Sequence, residues 1–372
     1  MRVRVTTAFE SGRIEVLSVE RARAVVSVPH DHASPRFRQW FAFDVEGPPG
    51  TDLEVVLENA GHCTWADGMR GDYRVYASEG VAWHRSESSR FEGSRMTARY
   101  RLTRPRVRFA YYPPYPQGRF ALLRKAVRDA GGRVDELGRT EDGRPLEVLV
   151  FPSSDTLRPP VWVIAQQHPG EAMAGWFVEG LIEALSSDRP VAKELRARGV
   201  CVVPRMNPDG VAVGNHRTTP RGEDLNRLWA AAEAPREVAL VRKAALETGA
   251  TVFLDVHGDE RLPWVFAQHA DHFPGRPDAI VRGLRAFDDA MLQATPDFQN
   301  VHKYPYDPSG RPSIAFASNW AQHELRCPAI TLEMPFSDHR GRPDPRGFFP
   351  ARARRLGRRA VIGLLTAARA VG

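Results

Sequence analysis

Val161-Trp-Val-Ile-Ala-Gln-Gln-His168-Pro-Gly-Glu171 decides the fold. Residues 161–165 are apolar without a break, the mark of a strand buried on both faces. His168, Pro169, Gly170 and Glu171 follow almost at once. Beyond them the apolar positions are Ala174, Phe177, Val178, Leu181, Ile182 and Leu185, spaced as on one face of a helix. The stretch reads as strand, turn and helix, with the helix over 171–185. Pro169 is tolerated at the mouth of this strand-to-helix turn, because a first helical turn needs no N–H from it. His168 and Glu171, three residues apart, are placed to face one cation.

Working outward, strand-like runs at 147–151, 161–167, 200–205, 252–256 and 330–333 alternate with helical patterns at 171–185 and near 236–247, 278–293 and 346–370. Such alternation predicts an α/β domain with a parallel or mixed sheet. Residues 1–113 differ. Their apolar runs are short, several alternate in polarity, and turn residues separate them, which predicts an antiparallel β-sandwich. Tyr111-Tyr-Pro-Pro-Tyr-Pro116 is a stiff aromatic connector. The expected division is therefore a sandwich over 1–113 and an α/β domain over 114–372, with the connector packed between them. A helix over 119–130 follows it. The Arg-rich run at 352–359 reads as the solvated face of the last helix, and His30-Asp-His32 as a polar loop.

The chain has 372 residues, 42% hydrophobic and 26% charged, with a net charge of +7. Only four of its 52 basic residues are Lys. No basic run is interleaved with aromatics, so no nucleic-acid partner is expected. Three cysteines, odd in number and far apart, argue against a disulfide framework and for a reducing compartment. The first residues carry charges among their apolar positions, and no segment is long enough to span a bilayer. A cytoplasmic protein without a membrane partner is expected.

Ligands of open α/β sheets bind beyond the carboxyl ends of the strands. Three strands here end in suitable side chains: His168 after the first, His257 after Val252-Phe-Leu-Asp-Val256, and Glu333 at the end of Ala329-Ile-Thr-Leu-Glu333. Two histidines and a glutamate form a zinc shell that leaves a position open for water. One Zn2+ per chain is expected on His168, Glu171 and His257. Glu333 is then free to act as general base. Asp255, on an alternating strand, is read as pointing away from the metal, and Asp259 and Glu260 as loop charges. Arg217, Asn226 and Arg227 suit the planar fork of a carboxylate.

In order along the chain come His168-Pro-Gly-Glu171, Asn207-Pro-Asp-Gly210, Gly214-Asn-His-Arg217, Asp224-Leu-Asn-Arg227, Asp255-Val-His-Gly258 and Thr331-Leu-Glu333. Together they resemble the zinc metallocarboxypeptidases of the M14 type, and H-P-G-E with D-L-N-R resembles the cytosolic carboxypeptidase subfamily. Gln39-Trp-Phe41 and Tyr111-Tyr-Pro-Pro-Tyr115 look like that subfamily's sandwich and junction. Gly138-Arg-Thr and Gly143-Arg-Pro-Leu146 look like its entry hairpin. The resemblance implies hydrolysis of the C-terminal amide bond of a peptide or protein tail. By the same resemblance His168, Glu171 and His257 hold zinc and Glu333 is the general base. Arg217 polarises the scissile carbonyl, Asn226 and Arg227 grip the terminal carboxylate, and Asp224 orients His168.

Two features depart from the family pattern. The tyrosine that closes over substrate has Tyr304 and Tyr306 as candidates, but Pro305 and Pro308 break a simple match. The arginine of members that trim glutamate is missing from Ser313-Ile-Ala-Phe-Ala-Ser-Asn-Trp320, where Phe316 falls near its place. Two rival readings stand beside the peptidase. One is an amidohydrolase of N-acyl amino acids, of the aspartoacylase or desuccinylase kind. The other is a catalytically silent binding protein.

Overall fold

The computed structural model describes residues 3–372 except 81, 87, 156, 271–275 and 306–312. Tyr306 and Pro308 lie outside the described residues. Two five-stranded sheets come from the first 110 residues. One runs Arg4–Thr6, Ala42–Glu46, Arg106–Ala110, Tyr76–Ser78, His84–Arg85, antiparallel throughout. The other runs Glu15–Glu20, Arg23–Ser27, Asp52–Leu57, Arg95–Arg101, Ser88–Glu92. Within it Arg23–Ser27 and Asp52–Leu57 pair in parallel, a local departure from the antiparallel expectation. Arg95–Arg101 shows the sequence logic: Met96, Ala98 and Tyr100 face the core, while Arg95, Arg99 and Arg101 face water. The strand Tyr76–Ser78 does not reach back to Tyr73. Tyr73 is turned inward instead, its hydroxyl donating to the Tyr111 carbonyl at 2.8 Å.

The third sheet has seven strands in the order Arg133–Arg139, Pro145–Phe151, Val200–Val203, Val161–Ala165, Val252–Val256, Ala329–Glu333, Phe266–His269. The central four are parallel and the outer ones antiparallel. Both faces are covered. Val161, Val163 and Ala165 pack in one core with helices Met173–Leu185 and Pro350–Val371. Trp162 and Ile164, one residue out of phase, pack in the other with Arg236–Thr248 and Ala317–Glu324. Three parallel strands thereby end at a single edge of the sheet.

Helices Met173–Leu185 and Pro350–Val371 touch backbone to backbone. A Cβ on Gly180 would lie 1.8 Å from the Arg354 carbonyl oxygen, and one on Gly357 would lie 2.0 Å from that of Phe177. The apolar core also continues through the connector. Tyr111 stacks on Phe336 at 4.8 Å, the Tyr112 hydroxyl donates to the Phe348 carbonyl at 2.8 Å, and Tyr115 meets Trp176 edge-on at 5.0 Å.

The last helix corrects one expectation in part: Arg355, Arg358 and Arg359 are exposed, but two other arginines of the run are not. Arg352 is only 2% exposed and donates to Asp297 at 2.7 Å, and Arg354 lies 2.9 Å from Glu179. These arginines bind acids of neighbouring elements rather than solvent. All three cysteines are buried and free. Among the described residues no helix is long and apolar enough to cross a membrane.

Candidate metal centre and active site

The helix after the first parallel strand begins at Met173, two residues later than expected. Pro169 therefore sits in the turn before it, not in its first turn. Gln166, at φ +56°, bends the chain out of the strand. Its side-chain amide donates to the Pro169 carbonyl at 2.9 Å and accepts from Arg205 at 3.1 Å. Gly170 is required by contact, since a Cβ there would lie 2.3 Å from His216 Nδ1. The turn aims His168 and Glu171 back over the sheet edge.

His257 follows the Val252–Val256 strand and meets them. His168 Nδ1 lies 2.6 Å from Glu171 Oε1, and His257 Nδ1 lies 2.8 Å from Glu171 Oε2. One ligand atom from each residue falls within 4.8 Å of the others, and all three residues are buried. Each imidazole is held from behind. His168 Nε2 lies 3.1 Å from Asp224 Oδ1, and His257 Nε2 lies 2.8 Å from Asp255 Oδ2. A carboxylate behind each ring suits the tautomer with its proton on Nε2, in which Nδ1 carries the free lone pair. Two Nδ1 atoms and a carboxylate turned to one point, each ring backed by an acid, fit a zinc ion.

Burial alone pushes the Glu171 carboxyl up, but the facing imidazoles of His168 and His257 hold it well below the ordinary range. Asp224 is lowered in the same way, against burial, by His168, Arg217 and Arg227. Glu333 behaves oppositely. Burial raises its carboxyl well above 4.5, helped by Glu171 and Asp259 and opposed by His257. Its Oε1 accepts from the Tyr304 hydroxyl at 3.1 Å. Its Oε2 is buried with no hydrogen-bond partner among the described residues.

Arg217 and the 224–227 turn complete the setting. Arg217 donates Nε–H to Asp224 Oδ2 at 2.7 Å. Asp224 caps the short 3-10 turn Leu225–Arg227, accepting from the Asn226 amide at 3.2 Å. The turn points Asn226 inward, with Nδ2 3.3 Å from His257 Nε2 and Oδ1 accepting from Ala317. It points Arg227 outward, over the Phe316 ring at 4.3 Å. Among the described residues no carboxylate forms an ion pair with Arg227.

The family models and close relatives agree. Residues 5–112 match the cytosolic carboxypeptidase N-terminal domain, and residues 131–240 match zinc carboxypeptidase. A metallo-carboxypeptidase from Burkholderia cenocepacia superposes with TM-score 0.93 at 36% identity, over 99% of this chain and 99% of that one. The chain belongs to the M14 zinc carboxypeptidase family. A second structure, a Pseudomonas aeruginosa metallo-carboxypeptidase in complex with (2-guanidinoethylmercapto)succinic acid, covers 99% of the chain at 36% identity and TM-score 0.91, with all (100%) of its own length matched. Human cytosolic carboxypeptidase 6 is 31% identical over 245 residues, 59% of this chain, which spans 48% of that protein. This M14 protein is thus a metallocarboxypeptidase, an enzyme of the hydrolase class.

Three acids of this carboxypeptidase escaped the reading of its sequence. Asp255 lies on the far side of His257 from Glu171, and the contact it makes there with Nε2 at 2.8 Å was not foreseen. Residues two apart on a strand share a face, so the spacing of Asp255 and His257 carried that signal. Asp259 and Glu260 are buried rather than loop charges. Asp259 accepts from the Tyr304 hydroxyl at 2.6 Å, and Glu260 lies 2.6 Å from His216 Nε2. These contacts form only on docking of distant loops, so no local pattern marks them.

Proposed function

We propose that the chain removes the C-terminal residue of peptides or protein tails, using one zinc ion held by His168 Nδ1, Glu171 and His257 Nδ1. The observation that carries this reading is the convergence of those three ligands beside Glu333, whose Oε2 has no partner among the described residues. Zinc bound there lowers the pKa of water toward neutrality. Asp224 and Asp255 keep the two imidazoles in the ligating tautomer. Glu333 Oε2 takes the proton of the attacking water and delivers it to the leaving amine. Arg217 donates to the oxygen of the scissile carbonyl as charge grows on it. Arg227, with Asn226 behind it, receives the terminal carboxylate and restricts cleavage to the last residue.

The Pseudomonas neighbour's ligand, a guanidino-substituted succinic acid, supports a carboxylate subsite of this kind. Phe316 under Arg227, and the lack of any arginine in 313–320, favour side chains other than acidic ones at the cleaved position. We also propose that residues 1–113 and 114–372 are the two domains and that the protein works in the cytoplasm.

The test is a set of peptides that differ in their last two residues, read by mass spectrometry. Loss of single C-terminal residues, abolished by a chelator and restored by zinc, supports the proposal. Hydrolysis of N-acyl amino acids with peptides left intact rejects it.

A further inference from the structure

The Arg217 loop leaves helix Pro208–Val213 through Gly214 at φ +71°. It has no ladder of its own. The three consecutive backbone N–H groups of His216, Arg217 and Thr218 go instead to one carboxylate of the sandwich. Asp31 Oδ1 accepts from His216 at 2.7 Å, and Oδ2 accepts from Arg217 at 2.7 Å, from the Thr218 amide at 3.0 Å and from its hydroxyl at 3.2 Å. Asp31 is 5% exposed. The next residue, His32, donates its amide to Asn215 Oδ1 at 2.9 Å. The guanidinium is held from the same side. The rings of Phe37 and Trp65, stacked at 5.9 Å and 8°, lie 5.5 and 5.6 Å from Arg217 Cζ.

We infer that Asp31 is a positioning residue of the active site: the sandwich sets the Arg217 guanidinium where the scissile carbonyl develops charge. This rests on the role proposed for Arg217. Backbone N–H groups outside regular structure need an acceptor, and among the described residues Asp31 is the acceptor for all three. A carboxylate with two oxygens fixes the three peptide planes together. The loop's shape then no longer depends on its own weak local preferences. Preorganised donors are effective because they need not reorganise during reaction, and a displacement of about 1 Å can lower turnover about 100-fold. An arginine that acts mainly on the transition state transmits such a displacement to kcat more than to KM. The sandwich is on this account part of the reacting centre, not a separate recruiting module.

The test is a double-mutant cycle on the full-length zinc-loaded enzyme with a peptide substrate. Asp31→Asn keeps one acceptor oxygen and sets an NH2 against the loop amides. Its kcat is expected to fall about 30–100-fold, with KM within about twofold and zinc content unchanged. Arg217→Ala alone is expected to lower kcat about 100–1,000-fold. In that background Asp31→Asn is expected to lower kcat by less than about threefold more, since the group it positions is gone. A wild-type kcat for Asp31→Asn overturns the inference. So does an undiminished loss on top of Arg217→Ala, which would mark Asp31 as structural and leave the role of Arg217 standing. A wild-type rate for Arg217→Ala rejects that role and the inference with it. Should Asp31→Asn fail to fold, Asp31→Glu, which moves the same charge by one methylene, runs through the same cycle with the same outcomes.

Discussion

Asp255 Oδ2 sits 2.8 Å from Nε2 of His257, on the ring edge opposite the one turned to Glu171. The same carboxylate accepts from the Gln167 amide at 2.8 Å, so it is fixed before any ion binds. Replacing Asp255 with Asn keeps the shape and removes the charge that makes the imidazole a strong ligand. Zinc affinity is expected to fall about 10–100-fold. Competition against a chelator of known affinity measures this, and an unchanged constant would remove Asp255 from the metal centre.

Tyr304 and Glu333 give a pH prediction. The tyrosine hydroxyl at 3.1 Å favours the ionised carboxylate and so lowers a pKa that burial raises. Tyr304→Phe removes that bond, and the Glu333 carboxyl then titrates at higher pH. If Glu333 is the base, the acidic limb of kcat/KM moves to higher pH while the alkaline limb stays. A limb that stays or moves the other way contradicts the link.

Glu237 lies in the first turn of helix Arg236–Thr248, 2% exposed, with Oε2 unpartnered among the described residues. Burial, with Asp209, Glu223 and Glu141 adding, pushes its carboxyl from 4.5 up to about 7. A raised folded pKa means that stability is complete below about 4.5 and is lost as pH rises through about 7. Glu237→Gln should therefore stabilise the protein by about 2–3 kcal/mol at pH 8.5 and by almost nothing at pH 4. Denaturant midpoints at the two pH values test both halves.

Gly180→Ala opposes helix propensity to packing. Alanine in a helix gains about 1 kcal/mol over glycine. Its Cβ would stand 1.8 Å from the Arg354 carbonyl oxygen, a backbone atom that moves only with its helix. Overpacking of this kind costs about 2–3 kcal/mol, so the net effect is destabilising. A lower Tm is expected, and a higher one would mean that the two helices separate easily.

The parts of this molecule legible in its sequence are those with a local signature. The strand over 161–165 was marked by its apolar run, and the ends of three parallel strands carried His168, His257 and Glu333 to one edge. The contact of Asp255 with His257 is also within reach of the sequence, since residues two apart on a strand share a face. Pro169 resembled a helix start because turn and helix share its φ. The remaining contacts depend on docking. Arg352 on Asp297, Tyr304 on Asp259 and Asp31 on the 216–218 amides join residues 45 to 187 positions apart. No periodicity connects such pairs, since they are set by how whole layers pack.

Zinc content and peptide hydrolysis, measured together on Glu333→Gln, test the centre most directly. The account predicts about one zinc per chain, as in the wild type, with kcat lower by about 100–10,000-fold because the proton acceptor is gone. A variant that keeps its zinc and turns over at the wild-type rate would contradict it.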